Sequence, residues 1–133
     1  MDLRVPSGSG GFLDELLSSG PESIMRDDAD YWPDVNPAQV VEALARHFRG
    51  EIEYVGLNND PEWIQVAQQR GGGYVFERSG RDGEDLFQYP SMLSAEQVQA
   101  AFLAYLGGDR DAGLPWPAEA PVAPKKKRGW FRR

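Results

Sequence analysis

The chain of 133 residues contains no cysteine, one histidine and no lysine before position 125. Without cysteine there is no disulfide framework, no thiolate metal site and no cysteine nucleophile. A single histidine, His47, removes most nucleophile–base pairs and most transition-metal sites, and no zinc motif such as HExxH surrounds it. Long apolar runs are also missing. No segment approaches the roughly 20 residues of a membrane-spanning helix, and the opening MDLRVPSGSGG has no apolar signal-peptide core. Carboxylates remain available for acid–base work, but their abundance singles out no pair. These absences predict a cytoplasmic protein that is not an enzyme and takes no cofactor and no metal.

Charge is divided along the chain. Residues 1–124 hold eight arginines and all 21 acidic residues, a balance of −13. Residues 125–133 hold Lys125, Lys126, Lys127, Arg128, Arg132 and Arg133, a balance of +6, with Trp130 and Phe131 among them. An acidic body repels nucleic acid and favours a basic protein partner, whose encounter it accelerates. The tail favours the opposite class of surface. Its cations suit an anionic membrane and its two aromatics the headgroup layer. It also suits nucleic acid, a nuclear-import receptor or the acidic body itself, and a solvated end is the plainest reading.

The pattern predicts an α+β fold: a single four-stranded antiparallel β-meander flanked by helices, in the order α-α-β-β-β-β-α. Residues 1–11, rich in Gly and Ser, read as a flexible leader. The α+β domain then covers 12–108, a Pro/Ala-rich linker 109–124 and the basic aromatic tail 125–133. FLDELL (Phe12 to Leu17) is a short amphipathic segment that must dock to hold its helix. Residues 21–35 read as an acidic, aromatic loop. In NPAQVVEALARHFRG, Asn36 caps, Pro37 suits the first helical position and Gly50 the left-handed terminus. Its apolar stripe is Pro37, Val41, Leu44 and Phe48, with Val40 beside it and His47 at the border.

EIEYVGLN, WIQVAQQ, YVFERS and EDLFQYP follow as strands, joined by turns too short for anything but antiparallel pairing. The last helix begins at Ser94, which forms a capping-box pattern with Gln97. It buries Val98, Ala101, Phe102 and Tyr105 and ends at Gly107. The RGGGY turn joins two strands and lacks the Lys-Ser/Thr of a phosphate loop, so it reads as a hairpin turn.

The stretch RDDADYWPD gathers Asp27, Asp28, Asp30 and Asp34 around Tyr31 and Trp32. It is not a calcium loop, because Pro33 and Gln39 stand where Gly and Glu are needed. Two readings stay open. Either Trp32 packs on the sheet among wet aspartates, or the stretch is a docking surface in which Trp32 fills a pocket on an Arg/Lys-rich partner. Asp82, Glu84 and Asp85 of the GRDGED turn form a second candidate patch.

From Trp63 to Trp116 the chain has a strand with a Trp, then GGGYVF, then LSAEQVQAAFLAYLGGDRDAGLPW. This segment resembles the second half of the Imm1-like immunity proteins of bacterial polymorphic toxin systems. The resemblance implies a small cytoplasmic α+β protein that occludes the active site of a cognate toxin domain. It covers under half of the chain, carries over no residue-level motif and does not account for the basic tail. YVFERS running into a last amphipathic helix is also similar to small secretion-chaperone-like domains, which implies a secreted client as partner. A peripheral membrane or scaffold protein using its tail is a further alternative.

Overall fold

The structure, a computed structural model, describes residues 1–6, 24–26, 29–69 and 71–117, with the backbone alone at 24–26, 29 and 30. Its class is α+β, as the sequence predicts. The strands are β1 (Asp2–Pro6), β2 (Ile24–Arg26), β3 (Ala29–Trp32), β4 (Tyr54–Asn59), β5 (Glu62–Gln68), β6 (Tyr74–Ser79) and β7 (Leu86–Gln88). They form one antiparallel sheet in the order β2-β3-β1-β4-β5-β6-β7. The helices α1 (Pro37–Phe48) and α2 (Ala95–Leu106) pack on each other and on the sheet.

The sheet is larger than expected because two segments read as irregular are strands. Residues 2–6 are not part of a flexible leader. Asp2, Leu3, Arg4 and Val5 alternate, Leu3 and Val5 are fully buried, and the strand pairs on both sides, with β3 and with β4. Likewise 21–35 is not a loop throughout. Ile24–Arg26 and Ala29–Trp32 pair as a hairpin, and Asp27 and Asp28 fall between them. Phe12–Leu17 lies outside the described residues, as do 118–124 and the tail 125–133.

Residues 109–117, read as the start of an extended linker, are folded against the domain. Ala112 is buried, and Trp116 packs on Phe76 and Tyr89 with centroids 5.9 and 5.1 Å apart. The guanidinium carbon of Arg78 lies 4.3 Å from the Trp116 ring centroid. A large aromatic offered an apolar ring and a cation gains more by packing than the proline-rich composition loses by leaving its extended state.

Both helices begin as their sequences dictate. The Asn36 and Ser94 side chains accept from the backbone N–H of Gln39 and Gln97, whose side chains accept in return from the cap N–H groups. Gly50, at φ 82°, takes the left-handed position after α1. The buried stripe of α1 is Val40, Ala43, Leu44 and His47, rotated from the expected one. His47 is therefore inside, not at the border. Its Nδ1–H donates to the Ile52 carbonyl at 2.8 Å, and its ring lies against Phe48 and Tyr74. The α2 stripe is as expected.

The core lies between helices and sheet: Leu3, Val5, Trp32, Val55, Leu57, Ile64, Val66 and Phe76 from the strands meet Val40, Leu44, Val98 and Phe102. The alternate positions of the strands face away from the helices and carry a polar rung, buried at Arg4, Gln65 and Glu77. Tyr31, Arg4, Gly56, Gln65, Glu77 and Gln88 stand in register across six strands. Arg4, only 4% exposed, reaches over Gly56 to the Gln65 Oε1, with its guanidinium carbon 5.9 Å from the Tyr54 ring centroid and 5.4 Å from that of Trp63. A Cβ at Gly56 would stand 2.7 Å from Arg4 Nη2.

Two outcomes follow. Gly56→Ala should displace the Arg4 guanidinium and cost about 2 kcal/mol, the scale of a lost hydrogen bond to a charged group. In urea unfolding the double variant Gly56→Ala/Arg4→Met should lose less than the sum of the singles, because both act on one contact. Burial holds the His47 imidazole below its usual pKa despite the opposing pull of the Ile52 carbonyl. The unfolded chain takes up a proton near pH 6.5 that the folded chain refuses. Stability should therefore fall as pH drops through that value, by at most about 1.4 kcal/mol per pH unit from this group. His47→Gln should flatten that part of the thermal-melting profile between pH 7.5 and the folded pKa.

Candidate functional site at the acidic end of the sheet

The antiparallel ladder sets which turns share an end. β1 and β5 start, and β3, β4 and β6 finish, at the same end. That end collects the Asp60–Pro61 turn between β4 and β5, the 80–85 turn between β6 and β7, the 33–36 connection into α1 and the 107–113 segment after α2. It carries Asp2, Asp34, Asp60, Glu62, Asp82, Glu84, Asp85, Asp109 and Asp111, against Arg78, Arg81 and Arg110. Asp34, Asp60, Asp82, Glu84, Asp109 and Asp111 are exposed.

The two hairpin turns are locked together. Trp63 Nε1–H donates to the Gly83 carbonyl at 3.0 Å, and its backbone N–H donates to Ser79 Oγ at 3.0 Å. Gly83 has φ 82°, and a Cβ there would meet the Pro61 carbonyl oxygen at 2.2 Å, so only glycine fits. Asp82 Oδ1 accepts from the Glu84 N–H at 3.0 Å, which turns the chain and presents both carboxylates outward. The segment after α2 is pinned to the same end by Arg110–Glu62 at 2.9 Å and Arg78–Asp111 at 2.6 Å. Beneath these pairs the buried Tyr105 hydroxyl is pushed up to about 12, first by burial and then by the Glu62 carboxylate, with Arg110 and Arg78 opposing.

The predicted site residues are scattered. Asp82, Glu84 and Asp85 stand together at the acidic end. Asp34 stands at the same end beyond β3, with φ 55°. Asp27 and Asp28 lie outside the described residues. The backbone of Asp30 pairs with Val5. β3 and β6 are four strand spacings apart, about 19 Å, so the two predicted patches do not form one surface. Trp32 is 3% exposed in the core, which leaves it no part as a docking anchor. Tyr31 is half-buried on the other face of the sheet. The expected tail site, Lys125, Lys126, Lys127, Arg128, Trp130, Phe131, Arg132 and Arg133, lies outside the described residues.

Asp60, Glu62, Asp109 and Asp111 were not singled out in the sequence. The turn signal of Asn59-Asp60-Pro61 was legible, and its junction with the GRDGED turn depends on strand order. Among the described residues no three His, Cys, Asp or Glu side chains are grouped to hold a metal ion, and no helix is long and apolar enough to cross a membrane. In comparisons with protein-family models, with curated proteins and with solved structures, the chain matches none.

Ion pairs as exposed as Arg78–Asp111 contribute about 0–1 kcal/mol each. Packing of Trp116 is thus what holds the segment in place. Trp116→Ala should cost about 2 kcal/mol, below the range for a fully buried aromatic, and should open the 109–117 segment to limited proteolysis while the far-UV spectrum is unchanged. Asp111→Asn should do neither to a measurable degree.

Proposed function

We propose that this chain is a non-enzymatic, acidic protein-binding module whose working surface is the acidic end of the sheet. The observation that carries the reading is the convergence of the Asp60–Pro61 turn, the 80–85 turn and the Arg110-bearing segment on one rigid rim of carboxylates. Held by backbone hydrogen bonds, such a rim loses little entropy when it meets a cation-rich surface. It also raises the rate of productive encounter. The sharper form of the reading is toxin neutralisation in the cytoplasm. An enzyme that handles nucleic acid needs a basic cleft, and a rigid acidic rim competes with its substrate's phosphates for that cleft. The net charge of −13 over residues 1–124 supports this reading, as does the likeness of Trp63–Trp116 to immunity proteins.

The test is stopped-flow association with the protein that co-purifies from source cells, at low and high salt. Asp82→Lys with Glu84→Lys should slow association about tenfold at low salt, the lower end of electrostatic steering, and the difference should shrink as salt screens it. Asp27→Lys with Asp28→Lys, the same change of charge outside the proposed rim, should change the rate far less. A partner that is itself acidic, or a rate indifferent to Asp82 and Glu84, would overturn the reading. If the partner is a toxin domain, the unaltered chain should also abolish its activity at a one-to-one ratio.

A further inference from the structure

α1 and α2 run antiparallel, and their seam is not filled. Near one end, Phe48, Ala95, Glu96, Gln99, Ala100 and Leu103 line a recess of about 350 Å³. Near the other, Met1, Val35, Pro37, Leu103 and Leu106 line one of about 630 Å³. The larger recess opens at the acidic end of the sheet. Asp34, next to Val35, and Asp109, two positions after Gly107, flank that lining and are both exposed. It is an apolar floor with a negative rim.

A second copy of the chain is a poor occupant. Among the described residues the one large hydrophobic side chain exposed is Met92, so the helix layer offers no broad apolar patch of the kind that a stable homodimer buries. A short segment with aromatics set among cations matches the recess better, and the chain contains one: Lys125 to Arg133, with Trp130 and Phe131 inside it. The tether is long enough. Twelve residues separate Pro117 from Trp130, and the thirteen steps span about 40 Å at the polyproline rise of about 3.1 Å per residue. A body of this size has a radius of gyration near 13 Å.

We propose that residues 125–133 fold back within the same molecule onto the larger recess. Trp130 and Phe131 sit over Val35, Leu103 and Leu106, and the basic side chains meet the Asp34 and Asp109 carboxylates. The inference does not depend on what the acidic end binds in other molecules.

The absence of cysteine makes the test direct, because one introduced cysteine carries one spin label. In the full ¹⁵N-labelled chain, the Trp130 indole N–H signal, assigned through Trp130→Phe, is followed with a nitroxide at Ala38→Cys, beside Pro37. A second sample carries it at Ser91→Cys, at the opposite end. A short tether gives an effective concentration on the order of 1 mM, so even a millimolar contact is about half populated. The label at position 38 should therefore remove about half or more of the Trp130 signal at low salt, and the label at position 91 much less. High salt or Leu106→Asp should restore it. Full Trp130 intensity beside the position-38 label, or equal loss from both labels, overturns the proposal. So does loss confined to mixtures of ¹⁵N-labelled and spin-labelled molecules, which would assign the contact to a second copy. A signal that changes only when anionic vesicles are added would assign the tail to a membrane surface and overturn it equally.

Discussion

Residues 2–6 hydrogen-bond on both sides, to Ala29–Trp32 on one flank and to Gly56–Asn58 on the other. Every other neighbouring pair of strands in the sheet is a sequential hairpin. β1 alone makes one sheet of two pieces, the β2–β3 hairpin and the β4–β7 meander. Its two core residues, Leu3 and Val5, meet partners from both pieces: Leu3 lies between Trp32 and Leu57. A two-stranded hairpin is marginal by itself in water. The order of residues 24–32, and through them the placement of Asp34 and the start of α1, therefore rests on a five-residue strand.

Arg4 fixes that strand in register. Its guanidinium crosses the space left by Gly56 and ends at Gln65, two strands away. A slip of one residue would place Arg4 in the apolar core and Leu3 and Val5 on the polar rung, the cost that makes register specific wherever one face is buried. Burying a guanidinium gains little net stability over an apolar core of the same volume. What it contributes is a geometry that excludes the neighbouring registers. The acidic end depends on this, because register decides that the β4–β5 and β6–β7 turns finish level with the connection after β3.

What the sequence showed and what it hid divide along the same line. Local grammar was legible: Asn36 and Ser94 with their reciprocal Gln39 and Gln97, Gly50 after α1, the α2 stripe, and the four strands of the meander with their turns. Long-range pairing was not. Asp2–Pro6 has the alternation of a strand, but the partners that make it one lie about 25 and 50 positions away, and the Gly/Ser run behind it read as a leader. Asp27 and Asp28 have turn chemistry between two short runs, yet the density of aspartate suggested a loop. The stripe of α1 was misplaced because His47 was given a polar residue's position. A hydrogen bond to Ile52 lets its ring pack as an aromatic beside Phe48 and Tyr74. The acidic end itself could not be read before strand order was known, since Glu62, Glu84 and Arg110 are distant in sequence.

Exposed charge and apolar recesses occupy different places in this molecule, and that separation bears on what it can do. Acid–base chemistry on carboxylates needs them in a water-poor volume, where burial moves their proton affinity and a substrate can be held against them. At the acidic end, Asp60, Asp82, Glu84, Asp109 and Asp111 stand in solvent on segments tied together by hydrogen bonds and ion pairs. Along the helix seam, open recesses are lined mainly by apolar side chains, with Asn36, Glu96 and Gln99 among them. The first arrangement suits recognition of charge at a distance, and the second suits an apolar side chain. A basic surface or segment with an aromatic anchor, the kind of ligand proposed above, would use both, its cations at the acidic end and its ring at the seam.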